Sequence, residues 1–316
     1  MIDVELTRIG QHSDEVFSLS FRATSGEPLA DASAGAHIRI TLPDGAERSY
    51  SLVNPPGPTG EYEIAIGLKG RPAHGSRYLC ELAKVGDRFR MSPPVNRFAL
   101  VEDAPHSTLI AGGIGITPLW SMIQRLEQLE RPWRLFYAMR HRDSGAFLDR
   151  LEALEARQPG RVELAIGDGA GSRRLDIEAI VASTPDSGHL YCCGPAPMLD
   201  AFRTATLHRD ASTVHLEYFG AQKRELSSLG YTLELARSKR TVFVPPGRTA
   251  LDVLHSEGID VAYGCKQGIC GTCETRVLSG TPDHRDEVLS DEERVSNRTM
   301  MLCCSGCVGE RLVLDL

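Results

Sequence analysis

The stretch Cys265-Lys-Gln-Gly-Ile-Cys270-Gly-Thr-Cys273 decides how the C-terminal part of this chain is read. It is answered downstream, after 29 intervening residues, by the adjacent pair Cys303 and Cys304. The spacing C-x4-C-x2-C with a distant fourth cysteine is that of a 2Fe–2S cluster loop. Two irons bridged by two sulfides need four thiolates to complete two tetrahedra. Cys265, Cys270 and Cys273 supply three from one tight loop, and Cys303 or Cys304 supplies the fourth. Gly264, Gly268 and Gly271 let the loop bend and let backbone N–H groups reach the sulfurs. A zinc site prefers two C-x2-C pairs and fits this triplet poorly.

On both sides of this loop the chain reads as a small α+β domain over residues 230–316, after a polar linker at 223–229. Tyr231-Thr-Leu-Glu-Leu and Arg240-Thr-Val-Phe-Val form a hairpin pattern. Leu251, Val253, Leu254 and Ile259 suggest a helix end. Glu274-Thr-Arg-Val-Leu and Arg311-Leu-Val-Leu-Asp-Leu316 read as strands, giving a β-grasp arrangement. The acidic stretch Asp283, Asp286, Glu287, Asp291, Glu292 and Glu293 is a solvated face or a docking surface.

Residues 102–222 alternate strand and helix signals, which implies a doubly wound parallel sheet. Ser107-Thr-Leu-Ile-Ala is a buried strand. Gly112-Gly-Ile-Gly115-Ile-Thr117-Pro118 follows at once, and Leu119, Leu126 and Leu129 then recur at helical spacing. A strand, a glycine turn and a helix make a dinucleotide site: Gly112, Gly113 and Gly115 admit the pyrophosphate, and the helix N-terminus faces it. Pro118 suits the first helical turn. His189-Leu-Tyr-Cys-Cys193-Gly194-Pro195 is a further strand and turn. Asp168, after another strand, is placed to touch a ribose or to serve a turn.

Residues 1–101 read as short alternating strands of an antiparallel β-barrel: Val4-Glu-Leu, Val16-Phe-Ser-Leu-Ser-Phe, His37-Ile-Arg-Ile-Thr-Leu and Tyr62-Glu-Ile-Ala-Ile. Arg48-Ser-Tyr50-Ser51 puts a guanidinium, a ring and a hydroxyl on one surface, a set suited to phosphate and a planar cofactor. A short helix from Gly75 and Ser76 offers free N–H groups to a phosphate.

Over 316 residues, hydrophobic content of 41% and charged content of 24% describe an ordinary globular chain with room for several domains. A net charge of −7 argues against nucleic acid, which selects a basic surface. The uncharged run Ser107–Ile123 is broken by glycine and proline and is no membrane span. Nine cysteines without a signal-like N-terminus point to a reducing cytoplasm and to thiols used for metal and redox work.

Arg-x-Tyr-Ser ahead of a Gly-Gly-x-Gly-x-Thr-Pro turn and a Cys-Gly-Pro turn resembles the ferredoxin–NADP reductase superfamily. The C-terminal loop with its Cys-x-Ser tail resembles plant-type ferredoxin, which selects Cys303 as the fourth ligand. The three modules in this order, with Asp283-His-Arg-Asp286 and the closing strand, resemble the phthalate dioxygenase reductase family, which includes the vanillate O-demethylase reductases. The resemblance covers nearly the whole chain. One departure is Gly306-Cys307, where the family commonly has arginine after Cys-x-Ser.

The resemblance implies that Arg48, Gly75 and Ser76 hold flavin phosphate, that Tyr50 packs on the isoalloxazine, and that Ser51 lies near flavin N5. Thr117, Cys193 and Glu217 border the nicotinamide with Gly194 and Pro195, and Phe219 covers the flavin. The cofactors implied are FMN, a 2Fe–2S cluster and NADH. The family, with Asp168, implies a preference for NADH of at least about tenfold, while Arg140 and Arg142 pull toward NADPH. The partner implied is a Rieske-type terminal oxygenase or demethylase, with the reductase a monomer when free. Rival readings are a reductase for a P450 or an amine monooxygenase, and an electron carrier without NADH turnover.

Overall fold

The computed structural model describes residues 1–45, 47–55, 57–68, 74–167, 174–219, 229–263, 266, 268, 271–286, 289 and 291–316. The chain forms two compact units, Met1–Phe219 and Gly220–Leu316. Of the expected linker at 223–229, all but Leu229 lies outside the described residues.

The first half of unit 1 contains β1 (Ile2–Ser13), β2 (Val16–Ala23), β3 (Leu29–Ala32), β4 (His37–Thr41), β5 (Glu47–Ser51), β6 (Gly57–Thr59), β7 (Tyr62–Gly67), α1 (His74–Glu81) and β8 (Arg88–Met91). Six of these strands form an antiparallel sheet in the order β5-β4-β8-β1-β2-β7. The two edges meet through a Leu52–Ile64 bridge, and the Val53 N–H donates to Glu63 O at 2.9 Å. The sheet therefore closes into a barrel, which leaves no long exposed edge. Alternate residues point inward, so Val4, Leu6, Leu19, Phe21, Ile38 and Ile64 fill its interior with no exposure.

The second half contains β9 (Ser107–Gly112), α2 (Ile116–Gln128), β10 (Trp133–Met139), α3 (Leu148–Arg157), β11 (Val162–Ile166), α4 (Ile177–Ser183), β12 (His189–Gly194), α5 (Ala196–Ala205) and β13 (Val214–Tyr218). The sheet order is β11-β10-β9-β12-β13, and every pairing is parallel. The chain runs outward from β9 in both directions. The C-terminal end of β9 is thus the point where strand order reverses, and in such sheets ligands bind there.

The barrel and this sheet share one core. Val16, Val53, Ala65 and Phe98 from the barrel half pack with Leu119, Trp120, Met122 and Ile123 of α2. The Gly35 N–H donates to Ser121 Oγ at 3.0 Å, and Gln124 Nε2 donates to Val53 O at 2.9 Å. Gly35 has φ +90°, and a Cβ there would lie 2.0 Å from Phe98 O, so only glycine permits the approach.

Unit 2 contains β14 (Tyr231–Leu235), β15 (Arg240–Val244), α6 (Ala250–Ser256), β16 (Glu274–Ser279), β17 (Pro282–Asp283), α7 (Asp291–Ser296), β18 (Thr299–Met301), β19 (Gly306–Cys307) and β20 (Arg311–Leu314). Its main sheet is ordered β15-β14-β20-β16-β18, with β14 and β20 parallel. Thr249 caps α6 by accepting the Asp252 N–H at 3.1 Å. Leu251 and Leu254 of that helix pack with Leu233, Val244, Met300, Leu302 and Leu312. No helix among the described residues is long and apolar enough to cross a membrane.

Candidate functional site

On the barrel, Arg48 packs against Gly75 at the start of α1. A Cβ on Gly75 would fall 2.7 Å from Arg48 Cγ and 2.6 Å from Leu42 Cδ1, so the absence of a side chain lets Arg48 lie against the start of α1. The first turn of α1 carries no acidic residue, which leaves its N–H groups and positive dipole end to an anion. Arg48 Nε is buried without a partner among the described residues. The Tyr50 and Ser76 hydroxyls share a hydrogen bond at 3.3 Å, and burial pushes the Tyr50 phenol up to about 12. Ser51 is buried, and its Oγ has no partner among the described residues. Leaving buried polar atoms unpaired costs about 1–3 kcal/mol each, so two such atoms on one strand fit a bound phosphorylated planar cofactor.

At the end of β9 the glycine turn opens a cavity of about 670 Å³. Gly112, Gly113, Gly115, Gly194, Pro195 and Phe219 all line it. The glycines are required by approach distances. A Cβ on Gly115 would lie 2.3 Å from Cys193 O, and one on Gly112 would lie 2.5 Å from Pro195 Cδ. The two turns that follow β9 and β12 thus meet backbone against backbone. Thr117 and Cys193 are buried. Thr117 Oγ1 donates to Ile114 O at 3.0 Å, which holds the turn at the head of α2, and Pro118 O accepts from Ser121 Oγ at 2.8 Å. Asp168 lies outside the described residues. Sequence reasoning missed Arg174 and Met198, which also line the cavity and follow no recognisable motif.

Glu217 and Cys193 are partners in the parallel register of β12 and β13. Glu217 is half-buried overall, but its Oε2 is shut off from solvent and unpartnered among the described residues. Burial raises its carboxyl to about 8, so it is mostly protonated at neutral pH. Burial raises the Cys193 thiol well above its ordinary value, and the nearby Glu217 adds to this. Cys193 is therefore a neutral thiol.

In unit 2, Cys273 opens the way into β16 and Cys303 follows β18, both buried. The Gly268 N–H donates to Cys303 Sγ at 3.2 Å, as a loop built around thiolate sulfur would. Gly268 has φ +70°, and a Cβ there would fall 2.6 Å from Cys304 Sγ and 3.1 Å from Asp286 Cα. On an extended strand, alternation would point neighbours such as Cys303 and Cys304 to opposite faces; β18 instead ends at Met301 and both cysteines lie in a turn, with the Cys304 and Ser305 N–H groups donating to Met301 O at 3.2 and 2.9 Å. Burial and the Gly268 contact are what separate them: Cys303 is buried, while Cys304 is half-exposed. Asp286 is fully buried and accepts from the Leu289 N–H and Ser305 Oγ, so one member of the acidic stretch is a core residue. Cys265 and Cys270 lie outside the described residues, so of the four expected ligands the structure describes Cys273 and Cys303.

Known proteins resemble this chain along its whole length. The 2Fe-2S iron-sulfur cluster binding domain matches residues 233–308, and the oxidoreductase NAD-binding domain matches residues 109–204. Phenoxybenzoate dioxygenase subunit beta of Ectopseudomonas oleovorans is 47% identical over 315 residues, covering 100% of this chain and 97% of that protein. Tetrachlorobenzoquinone reductase of Sphingobium chlorophenolicum is 46% identical over 317 residues, covering 100% and 98%. The solved structure of phthalate dioxygenase reductase matches with a TM-score of 0.76 at 33% identity, over 100% of this chain and 98% of that one. Similarity that runs the full length of both partners, through barrel, nucleotide sheet and cluster domain alike, places this chain in the phthalate dioxygenase reductase family.

Proposed function

We propose that the chain is the reductase component of a two-component oxygenase, taking electrons in pairs from NADH and delivering them singly to a terminal oxygenase of the Rieske type. The observation that carries this reading is an anion cradle on the barrel, Arg48 with Gly75, in the same compact unit as a glycine-walled dinucleotide cavity. FMN, when bound, supplies the conversion of a hydride into two separate electrons, which a 2Fe–2S cluster accepts one at a time. Arg48 and the head of α1 hold the flavin phosphate, and the orphaned Ser51 hydroxyl donates to the ring edge. Gly112, Gly113 and Gly115 take the pyrophosphate. Glu217 keeps its proton and, with Cys193, presents an uncharged wall to the nicotinamide. Cys265, Cys270, Cys273 and Cys303 hold the cluster. Domain limits of 1–101, 102–222 and 230–316, a monomeric free state and a cytoplasmic location belong to the same proposal.

A second reading is favoured by the 46% identity to tetrachlorobenzoquinone reductase: a quinone as the electron acceptor. Purified protein reduced with NADH separates the two. Reoxidation by a co-purified or genetically neighbouring oxygenase, coupled to substrate oxidation, supports the first reading. Reoxidation by quinone alone supports the second. A visible spectrum without flavin and 2Fe–2S bands would end both.

A further inference from the structure

We propose, on the cluster reading above, that Asp286 is a positioning residue for the iron–sulfur centre. Through Ser305 it fixes the turn of Cys303 against Gly268 and so sets the reduction potential of the cluster. Asp286 is fully buried in unit 2, in the segment between β17 and α7. A buried carboxylate is costly unless its oxygens are hydrogen-bonded. Here both are engaged. Asp286 Oδ2 accepts the Leu289 N–H at 2.9 Å, and Oδ1 accepts the Ser305 hydroxyl at 3.3 Å. The Arg294 guanidinium of α7 donates to the main-chain carbonyl of Asp286, which ties down the backbone of the same residue. His284 Nδ1 stands 3.9 Å from Oδ1, beyond hydrogen-bond reach.

Asp286 meets both sides of the contact between the cysteine loop and the closing turn. On one side is Ser305, two residues after Cys303. Its N–H donates to Met301 O at 2.9 Å, within the turn that holds Cys303. Its hydroxyl oxygen accepts the Arg285 N–H at 3.3 Å, and its proton is directed to Asp286. On the other side is Gly268. A Cβ there would fall 3.1 Å from Asp286 Cα, so the cysteine loop rests on the Asp286 backbone. Gly268 in turn donates its N–H to Cys303 Sγ at 3.2 Å. A carboxylate suits this joint because it accepts at two oxygens, whereas an asparagine has one acceptor oxygen and an amide that only donates. N–H donors to cluster sulfur favour the more negative, reduced state, so the potential follows how closely they approach. A Cys303 turn released from Asp286 moves away from Gly268, lengthens that bond and lowers the potential.

A buried negative charge acting directly on the cluster is the competing account, and the sign of the shift separates the two. The full-length holoprotein, Ser305→Ala and Asp286→Asn are each titrated with dithionite, and the paramagnetic signal of the reduced cluster is recorded. Iron content and urea unfolding are measured on the same samples. The proposal expects both variants to lower the one-electron potential by about 59 mV, a tenfold change in the reduction equilibrium, and to alter the g-values. Direct electrostatics expects Asp286→Asn to raise the potential and Ser305→Ala to leave it unchanged, and that pattern overturns the proposal. So do unchanged potentials and g-values with a lowered unfolding midpoint, which assign Asp286 to domain packing alone. Where Asp286→Asn loses its iron on purification, the shift in Ser305→Ala decides by itself. A wild-type spectrum without 2Fe–2S bands defeats the cluster reading, and the positioning role falls with it.

Discussion

Glu217 lies directly opposite Cys193 in the parallel pairing of β12 with β13, a carboxyl with one sealed oxygen beside a fully buried thiol. Burial keeps both groups protonated at neutral pH. The unfolded chain holds Glu217 near 4.5 and the folded chain near 8. Below the lower value both states carry the proton and nothing is lost. Between the two the unfolded state ionises first, so stability falls as pH rises, by at most about 1.4 kcal/mol per unit. Above about 8 the loss is complete. Glu217→Gln removes this dependence. Urea unfolding at pH 5, 6.5 and 8, read by the fluorescence of Trp120 and Trp133, should show a flatter profile in the variant. Parallel profiles for the two proteins would mean that Glu217 titrates normally.

Gly115→Ala should disrupt the nucleotide turn. Its new Cβ would meet Cys193 O at 2.3 Å, and backbone cannot yield as a flexible side chain can. Overpacking of this kind costs about 1–3 kcal/mol. The KM for NADH should rise as well, since the turn proposed to carry the pyrophosphate must shift. Stability and KM both equal to wild type would show that the two turns are not held together as described.

Arg48→Ala should loosen the flavin. Charge-assisted contacts to a phosphate contribute about 2 kcal/mol, or about 30-fold in the dissociation constant. Fluorescence of released flavin after gel filtration measures it, and chromatography identifies the cofactor as FMN. Recovery of FAD, or unchanged retention in the variant, counts against the cradle.

Cys303→Ser should remove or strongly shift the 2Fe–2S absorption and the paramagnetic signal of the reduced cluster, because a hydroxyl ligates iron more weakly than a thiolate. Cys304→Ser should leave both spectra intact, since Cys303 is the buried thiol that accepts the Gly268 N–H. In Cys273→Ser, NADH should still bleach the flavin while no electron reaches an external acceptor. The opposite pattern for the two neighbouring cysteines would move the ligand by one residue along the turn.

The sequence by itself determined the parts whose chemistry is local. Cysteine spacing within one loop, a strand followed at once by Gly112–Gly115, and the alternation of β1, β2, β4 and β7 are readable because they involve neighbours along the chain. The short strands β3, β6, β17 and β19 were not readable, because two to four residues cannot establish a period. Barrel closure through Val53 and Glu63 joins distant segments, and so does the fusion of the barrel core with α2 through Gly35 and Gln124. The same holds for single side chains. Arg140 and Arg142 are alike in sequence, and only the position of Glu152 on α3 takes one of them away from the cavity. Glu217 becomes a neutral acid because of what packs around it, and the turn after Met301, rather than strand alternation, separates Cys303 from Cys304. Residue type and spacing set which chemistry is available, but burial and pairing depend on contacts across the fold and so were decided by the tertiary structure.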